Sequence, residues 1–188
     1  MNQIRRSVTL VLAAACTAVL VATPAHAEVT VVNDGADATA SLTDIRRVRV
    51  DHGGEQLKVR VNFPDLRKNA NAGLNVYVDK NAQRRGPEFG LATPLFSGSD
   101  YALLRMKRWK FVGNGRVECD YDVTLKWKRD VLVFTADRGC FGDPDELRVG
   151  MRMRDAADPS HPVTDWLIGR RKFTDWLSAG EALSGTRV

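Results

Sequence analysis

Residues 56–66, Gln56-Leu57-Lys58-Val59-Arg60-Val61-Asn62-Phe63-Pro64-Asp65-Leu66, decide the fold. Leu57, Val59, Val61 and Phe63 alternate with Lys58, Arg60 and Asn62. A period of two places alternate side chains on opposite faces of a strand, so one face is apolar and the other wet. The same alternation returns at Leu74, Val76 and Val78, with Asn75, Tyr77 and Asp79 between them. It returns again at Val117, Cys119, Tyr121, Val123 and Leu125, and at Val149, Met151 and Met153. Half-greasy strands of this kind belong to antiparallel sheets with one face on a core.

Turn chemistry separates the runs. Asp51-His52-Gly53-Gly54 joins a strand at 45–51 to the one at 56–63 and reads as a hairpin. Lys128-Arg129-Asp130 divides a 116–127 strand from one at 131–136, and Gly113-Asn114-Gly115 reads as a third turn. Long helical periodicity is absent. Asp143-Pro144-Asp145-Glu146 predicts one short helical turn, since Asp143 can cap, Pro144 suits the first helical position and Glu146 completes a capping box. Short strands, frequent turns and little helix predict an all-β, antiparallel, jelly-roll-like sandwich.

The N-terminus reads as a cleavable secretory signal. Arg5 and Arg6 precede an uncharged apolar run from Val8 to Val21, Pro24 breaks it, and Ala25-His26-Ala27 is a small-x-small cleavage pattern. Cleavage after Ala27 leaves residues 28–188 as one sandwich domain with its core at about 44–177. The apolar run is short for a bilayer span, which takes about 20 residues. Ser7-Val8-Thr9 departs from a twin-arginine signal, and Ala13 stands where a lipoprotein box has Leu before Cys16. No later run is apolar enough to span a membrane, so the exported chain is expected to act outside the cell without a membrane anchor.

The whole chain carries 28 Lys and Arg against 23 Asp and Glu, and removing Arg5 and Arg6 lowers the formal charge from +5 to +3. The charges are interleaved, whereas nucleic-acid binders gather cations on one face, so nucleic acid is not the expected partner. Arg170-Arg171-Lys172 is the one tight basic cluster and reads as a solvated loop or strand end. The stripes Glu118, Asp120, Asp122 and Arg148, Arg152, Arg154 read as exposed faces that pair with each other or with neighbours. Beyond the signal, two cysteines remain, Cys119 and Cys140. An even count in an exported chain predicts one disulfide, and closing a loop of about 22 residues contributes roughly 3 kcal/mol.

A Ser-His-Asp site needs an oriented histidine, but His52 lies in the Gly-Gly hairpin and His161 in a Pro-flanked loop. Neither a G-x-S-x-G elbow nor an H-E-x-x-H motif is present. Aromatic residues carry the binding argument instead. Tyr101, Trp109 and Trp127, with Trp166 and Trp176, stand among polar residues and can stack on sugar rings, anchor a protein or plug the sandwich ends. Trp109, within Lys107-Arg108-Trp109-Lys110, is expected to be exposed, and Trp127 to point inward by alternation with Leu125. Thr164-Asp165-Trp166-Leu167 recurs as Thr174-Asp175-Trp176-Leu177, which is too short for a repeat architecture and reads as two Trp covering an end of the sandwich. The chain from Ser178 reads as frayed.

A strand opened by Asp44-Ile45, the stretch 56–66 and Asn75-Val76-Tyr77-Val78-Asp79-Lys80-Asn81 resemble DOMON-like sandwiches and family-nine carbohydrate-binding modules. In those a strand pair is followed by an acidic residue and a second strand ending in Asp. Residues 116–152 look like small exported actinobacterial proteins. The resemblance spans about residues 44–154 and implies a sandwich whose relatives bind sugars, haem or calcium. It makes Asp65, Asp79 and Glu88 the candidate calcium ligands, because they fall at strand ends or in loops. Solvated acids in turns are the alternative. The expected function is non-enzymatic binding of a polysaccharide or cell-wall glycan. An extracellular protein partner or inhibitor role comes second, and a carboxylate-pair hydrolase third.

Overall fold

The structure is a computed structural model that describes residues 28–180. The expected signal, its cleavage after Ala27 and Cys16 lie outside the described residues, as does the end of the chain from 181.

Two antiparallel sheets share one core. The first sheet contains β1 (Glu28–Asn33), β2 (Arg47–His52), β3 (Gln56–Asn62), β9 (Val131–Asp137) and β8 (Tyr121–Lys126), in the order β1-β2-β3-β9-β8. The second contains β11 (Val163–Trp166), β10 (Glu146–Asp155), β4 (Ala72–Asp79), β5 (Phe89–Pro94), β6 (Ala102–Lys107) and β7 (Lys110–Arg116), in that order, and β12 (Leu177–Ser178) pairs with β10. The registers join the alternating faces. Val59 stands opposite Val50 and Phe134, and Val76 stands opposite Met151 and Leu91. All six are fully buried. Burial of each such side chain is worth about 1.5–3 kcal/mol, so the period-two face dominates the choice of register.

The Cys119–Cys140 disulfide forms, with Cα atoms 5.5 Å apart. It ties the lead into β8 to the 3-10 turn Arg138–Phe141 that follows β9. That turn replaces the helical turn expected at 143–146. Gly142 (φ 74°) and Asp143 (φ 47°) both adopt left-handed backbone, and their amides bond back to Gly139 and Arg138 carbonyls. The chain then leaves extended, and Glu146 already pairs with Ser178 in β12. Ser178 is therefore held in a strand rather than frayed, and its amide donates to Glu28 at 2.8 Å.

Two other expectations change. The strand expected at 116–127 is divided between the sheets. The Val117 amide donates to Leu103 in the second sheet, whereas the Asp120 carbonyl accepts from Asp137 in the first. The alternation runs unbroken through this crossing, so periodicity cannot reveal it. Gly113-Asn114-Gly115 is a bulge inside β7 rather than a hairpin turn. Leu104 pairs with Arg116 and Met106 with Phe111, which leaves residues 112–115 looped out opposite Arg105. The hairpin turn is Arg108-Trp109, flanked by the Lys107–Lys110 pair.

Finally, the two Trp of the repeated tetrapeptide cover the outer face of the second sheet, not an end of the sandwich. Val76 and Val78 face the core, so Tyr77 between them faces outward, yet it is only 4% exposed. The cover consists of Trp166, whose ring stacks 6.0 Å from Tyr77, together with the segment 171–176. This segment fits because position 150 is glycine. A Cβ there would stand 2.6 Å from the Lys172 carbonyl oxygen and 3.1 Å from the Phe173 ring. Bonds from the Thr174 amide to Val149 (2.9 Å) and from the Val149 amide to Thr174 Oγ1 (3.1 Å) seal the contact.

Candidate functional site

An aromatic cluster grows from this covered face. Trp109 reaches across from the β6–β7 turn, with its ring 5.2 Å from Tyr77, 6.0 Å from Trp166 and 5.0 Å from Phe173. It is half-buried, which corrects its expected exposure. Arg171 lies over its ring at 5.8 Å, so the ring is a supported wall rather than a bare platform. The Arg148 guanidinium lies over both Phe173 and Trp176, 4.7 and 4.6 Å from their ring centres. Cation–π contacts of this kind strengthen as the pair is desolvated.

The backbone at this place is strained. A Trp in left-handed conformation costs roughly 1–2 kcal/mol, a penalty that Gly avoids. Arg108 (φ 51°) and Trp109 (φ 67°) form the two-residue turn, and Ile168 (φ 65°) and Arg171 (φ 58°) shape the loop facing it. These are four of the seven non-glycine residues with positive φ among the described residues. Such strain concentrates where the surrounding structure holds side chains in set positions for a task. Gly86 (φ 82°) completes the fit, since a Cβ there would lie 2.6 Å from two atoms of the Trp109 indole.

Two adjoining depressions meet at Arg85, Gly86 and Arg108. One, of about 790 Å³, is lined by Lys80, Arg84, Arg105 and Lys107 together with Glu88, Phe89 and Met106. The other, of about 900 Å³, is lined by Arg148, Arg171, Lys172 and Asp175 together with Trp109, Phe173 and Trp176. Counting shared residues once, nine cations face two acids in this groove, whereas the chain as a whole has 28 against 23. The interleaving seen along the sequence therefore does not survive folding. Arg171 and Lys172 are exposed loop residues, as expected, but they line a groove as well.

Glu88 is 9% exposed, and burial pushes its carboxyl above the usual range, opposed by a bond from the Lys80 amide and reinforced by the charge of Asp79. Asp79 is fully buried, with Oδ2 accepting from Arg148 and Oδ1 from the Asn81 amide.

No protein-family model and no curated protein matches this sequence.

The residues singled out in the sequence scatter. Trp109 lines the groove. Tyr101 lines a separate depression with Phe96, Asp100 and Arg116, and its hydroxyl donates to Asp122 at 3.0 Å. Trp127 sits in the 3-10 turn after β8, half-buried against the core. Asp79 and Glu88 come together, but Asp65 does not join them. It precedes β4, whose eight residues extend about 25 Å, and Asp79 ends that strand. Asp65 instead pairs with Arg67 at 2.6 Å. The Glu118, Asp120, Asp122 stripe leads into and along β8 of the first sheet, and Arg148, Arg152, Arg154 lie on β10 of the second, so the two do not pair. Phe173, Arg85 and Arg105 had no sequence signal, because they gain their setting from elements remote in the chain.

Proposed function

We propose that this protein is a non-enzymatic, extracellular binding protein whose groove takes an anionic glycan. The concentration of nine cations over an aromatic wall carries the reading. Guanidinium groups give paired donors that match carboxylate and phosphate geometry, and the rings beneath add apolar surface for a sugar face. Arg171 covers the Trp109 ring, so charged donors, more than a bare stacking platform, supply the recognition. Support for a non-enzymatic role comes from the acids in the groove. Glu88 and Asp175 are the two that line it, and Asp79, buried beside Glu88 and outside the lining, takes three donors, so Glu88 has no second free carboxylate beside it.

Retention of the purified protein on peptidoglycan carrying anionic polymer and on pectate, compared with cellulose, chitin and xylan, tests this. Retention is expected on the anionic materials alone and should fall as salt is raised. The double substitution Arg171→Ser and Lys172→Ser should release it without unfolding, since both side chains are exposed. Equal retention on neutral polymers, or tighter binding to a single-stranded oligonucleotide, would refute the anionic-glycan reading.

A protein partner is the second reading. Among the described residues β1 pairs only with β2, which leaves its other edge without a strand partner there, and its exposed face carries Val29 and Val31. An added strand from a partner would bond to that edge. A stable co-purifying protein lost on Val31→Lys would favour it.

A further inference from the structure

Four carboxylates meet where the β1–β2 connection crosses the outer strand of the second sheet. Asp34 and Asp37 come from that connection, Asp44 from its end and Asp165 from β11. Ligand atoms of Asp34, Asp37 and Asp165 all lie within 4.8 Å of one another. The backbone holds them there. The Asp34 amide donates to Arg46 at 2.9 Å, and Asp165 Oδ2 accepts from the Ile45 amide at 2.7 Å.

What remains is unusual for a folded interior. Asp165 is 2% exposed, and its Oδ1 has no hydrogen-bond partner. The inner oxygen of Asp34, Oδ2, is likewise without a donor. Asp44, fully buried, has neither oxygen hydrogen-bonded, and only Arg46, 3.1 Å from Oδ2, offsets its charge. Among the described residues, Arg46 is the one cation paired with any of the four acids, and it pairs with Asp44 alone. Buried carboxylates left unpaired cost several kcal/mol each unless they are protonated or hold a cation.

We propose that Asp34, Asp37 and Asp165 bind a calcium ion, with Asp44 adding negative charge behind them. The donor set is all oxygen, which suits a hard cation and not zinc, whose ligands are Cys and His. Asp37 is exposed, so the site has an opening for water ligands to complete six to eight positions. This is a different place from the Asp65, Asp79 and Glu88 set. The ion clasps the β1–β2 connection to β11, and the residue after Asp165 is Trp166 of the aromatic cover. Binding in the range of extracellular modules, with Kd of about 0.1–1 mM, is expected.

Calcium titration of the EDTA-treated protein, followed by melting temperature and by calorimetry, tests the site without any glycan. The melting temperature should rise with calcium, because a ligand of the native state alone stabilises it. Asp37→Asn should weaken binding about tenfold or more while the protein stays folded in EDTA, since the side chain is exposed. Asp165→Asn should abolish the response and melt in EDTA no lower than the unchanged protein, because it removes a buried charge. Asp65→Asn and Glu88→Gln should leave the calcium response intact. An unchanged response in Asp37→Asn and Asp165→Asn, its loss in Glu88→Gln, or no bound calcium in the unchanged protein at about 1 mM would each overturn the proposal.

Discussion

Both Nε and Nη2 of Arg148 converge on a single oxygen of Asp79, at 2.9 and 2.7 Å. The carboxylate is fully buried, and the Arg148 side chain keeps 28% of its surface exposed. The ring centres of Phe173 and Trp176 lie 4.7 and 4.6 Å from the guanidinium carbon. The pair thus links β4 and β10 to the 171–176 segment that covers them.

Arg148→Ala should cost more than a surface ion pair. It leaves Asp79 buried without its counter-charge and removes the contacts of the guanidinium with two rings. About 2–4 kcal/mol is expected, at or below the range for breaking a buried pair because Arg148 is partly exposed. Urea unfolding with the disulfide intact measures it. A loss below about 0.5 kcal/mol would show that the pair behaves as an exposed one.

Gly86→Ala should disturb the groove more than the fold. The left-handed backbone costs an L-residue roughly 1–2 kcal/mol, and the new Cβ would meet the Trp109 indole at 2.6 Å. The indole or the backbone at position 86 must shift to relieve that contact. Tryptophan fluorescence should change relative to the unchanged protein, and the same substitution in a Trp109→Phe background should produce a smaller change.

Cys119→Ser with Cys140→Ser should destabilise by roughly 3 kcal/mol, the loop-closure contribution for a sequence separation of 21. Guanidinium unfolding of the variant, beside the unchanged protein with and without reductant, checks this. Equal midpoints in all three would refute the contribution.

Stability should fall as the pH drops below about 6.5, in part through His52. The ring is fully buried, its Nδ1–H donates to the Leu177 carbonyl at 3.0 Å, and Nε2 has no partner. Burial lowers its pKa, opposed by the Leu177 bond and aided by the charge of Arg138. The folded value lies below the unfolded 6.5, so the unfolded chain takes the proton first. Stability is complete above 6.5 and declines from there toward the folded value, by at most about 1.4 kcal/mol per pH unit for one proton. His52→Asn should flatten the profile between pH 7 and 5. A His52 ring titrating at or above 6.5 by NMR would contradict it.

The strands were legible in the sequence because period two is a local property. Leu57, Val59 and Val61 face the core as alternation predicts, and Cys119 and Cys140 pair as their even count predicts. The hairpin at 51–54 and the turn at 128–130 were legible for the same reason, since Gly, Asp and their neighbours set local backbone. The helical turn moved to Arg138–Phe141 because tertiary pairing of Glu146 with Ser178 outweighed a local capping pattern. The β6–β7 turn was missed because Arg108-Trp109 lacks the residues that left-handed turns favour.

Neither candidate site could be read along the chain. The groove gathers Lys80, Arg105, Arg148 and Arg171 from four separate segments, and the acidic site gathers Asp34 and Asp37 with Asp165. The sequence by itself determined which faces are apolar, where the chain turns and which cysteines join, since each rests on residues close together or few in number. Only the tertiary structure decided which charges meet. An antiparallel sandwich brings distant strand ends together, and charge spacing along the sequence holds no record of that approach.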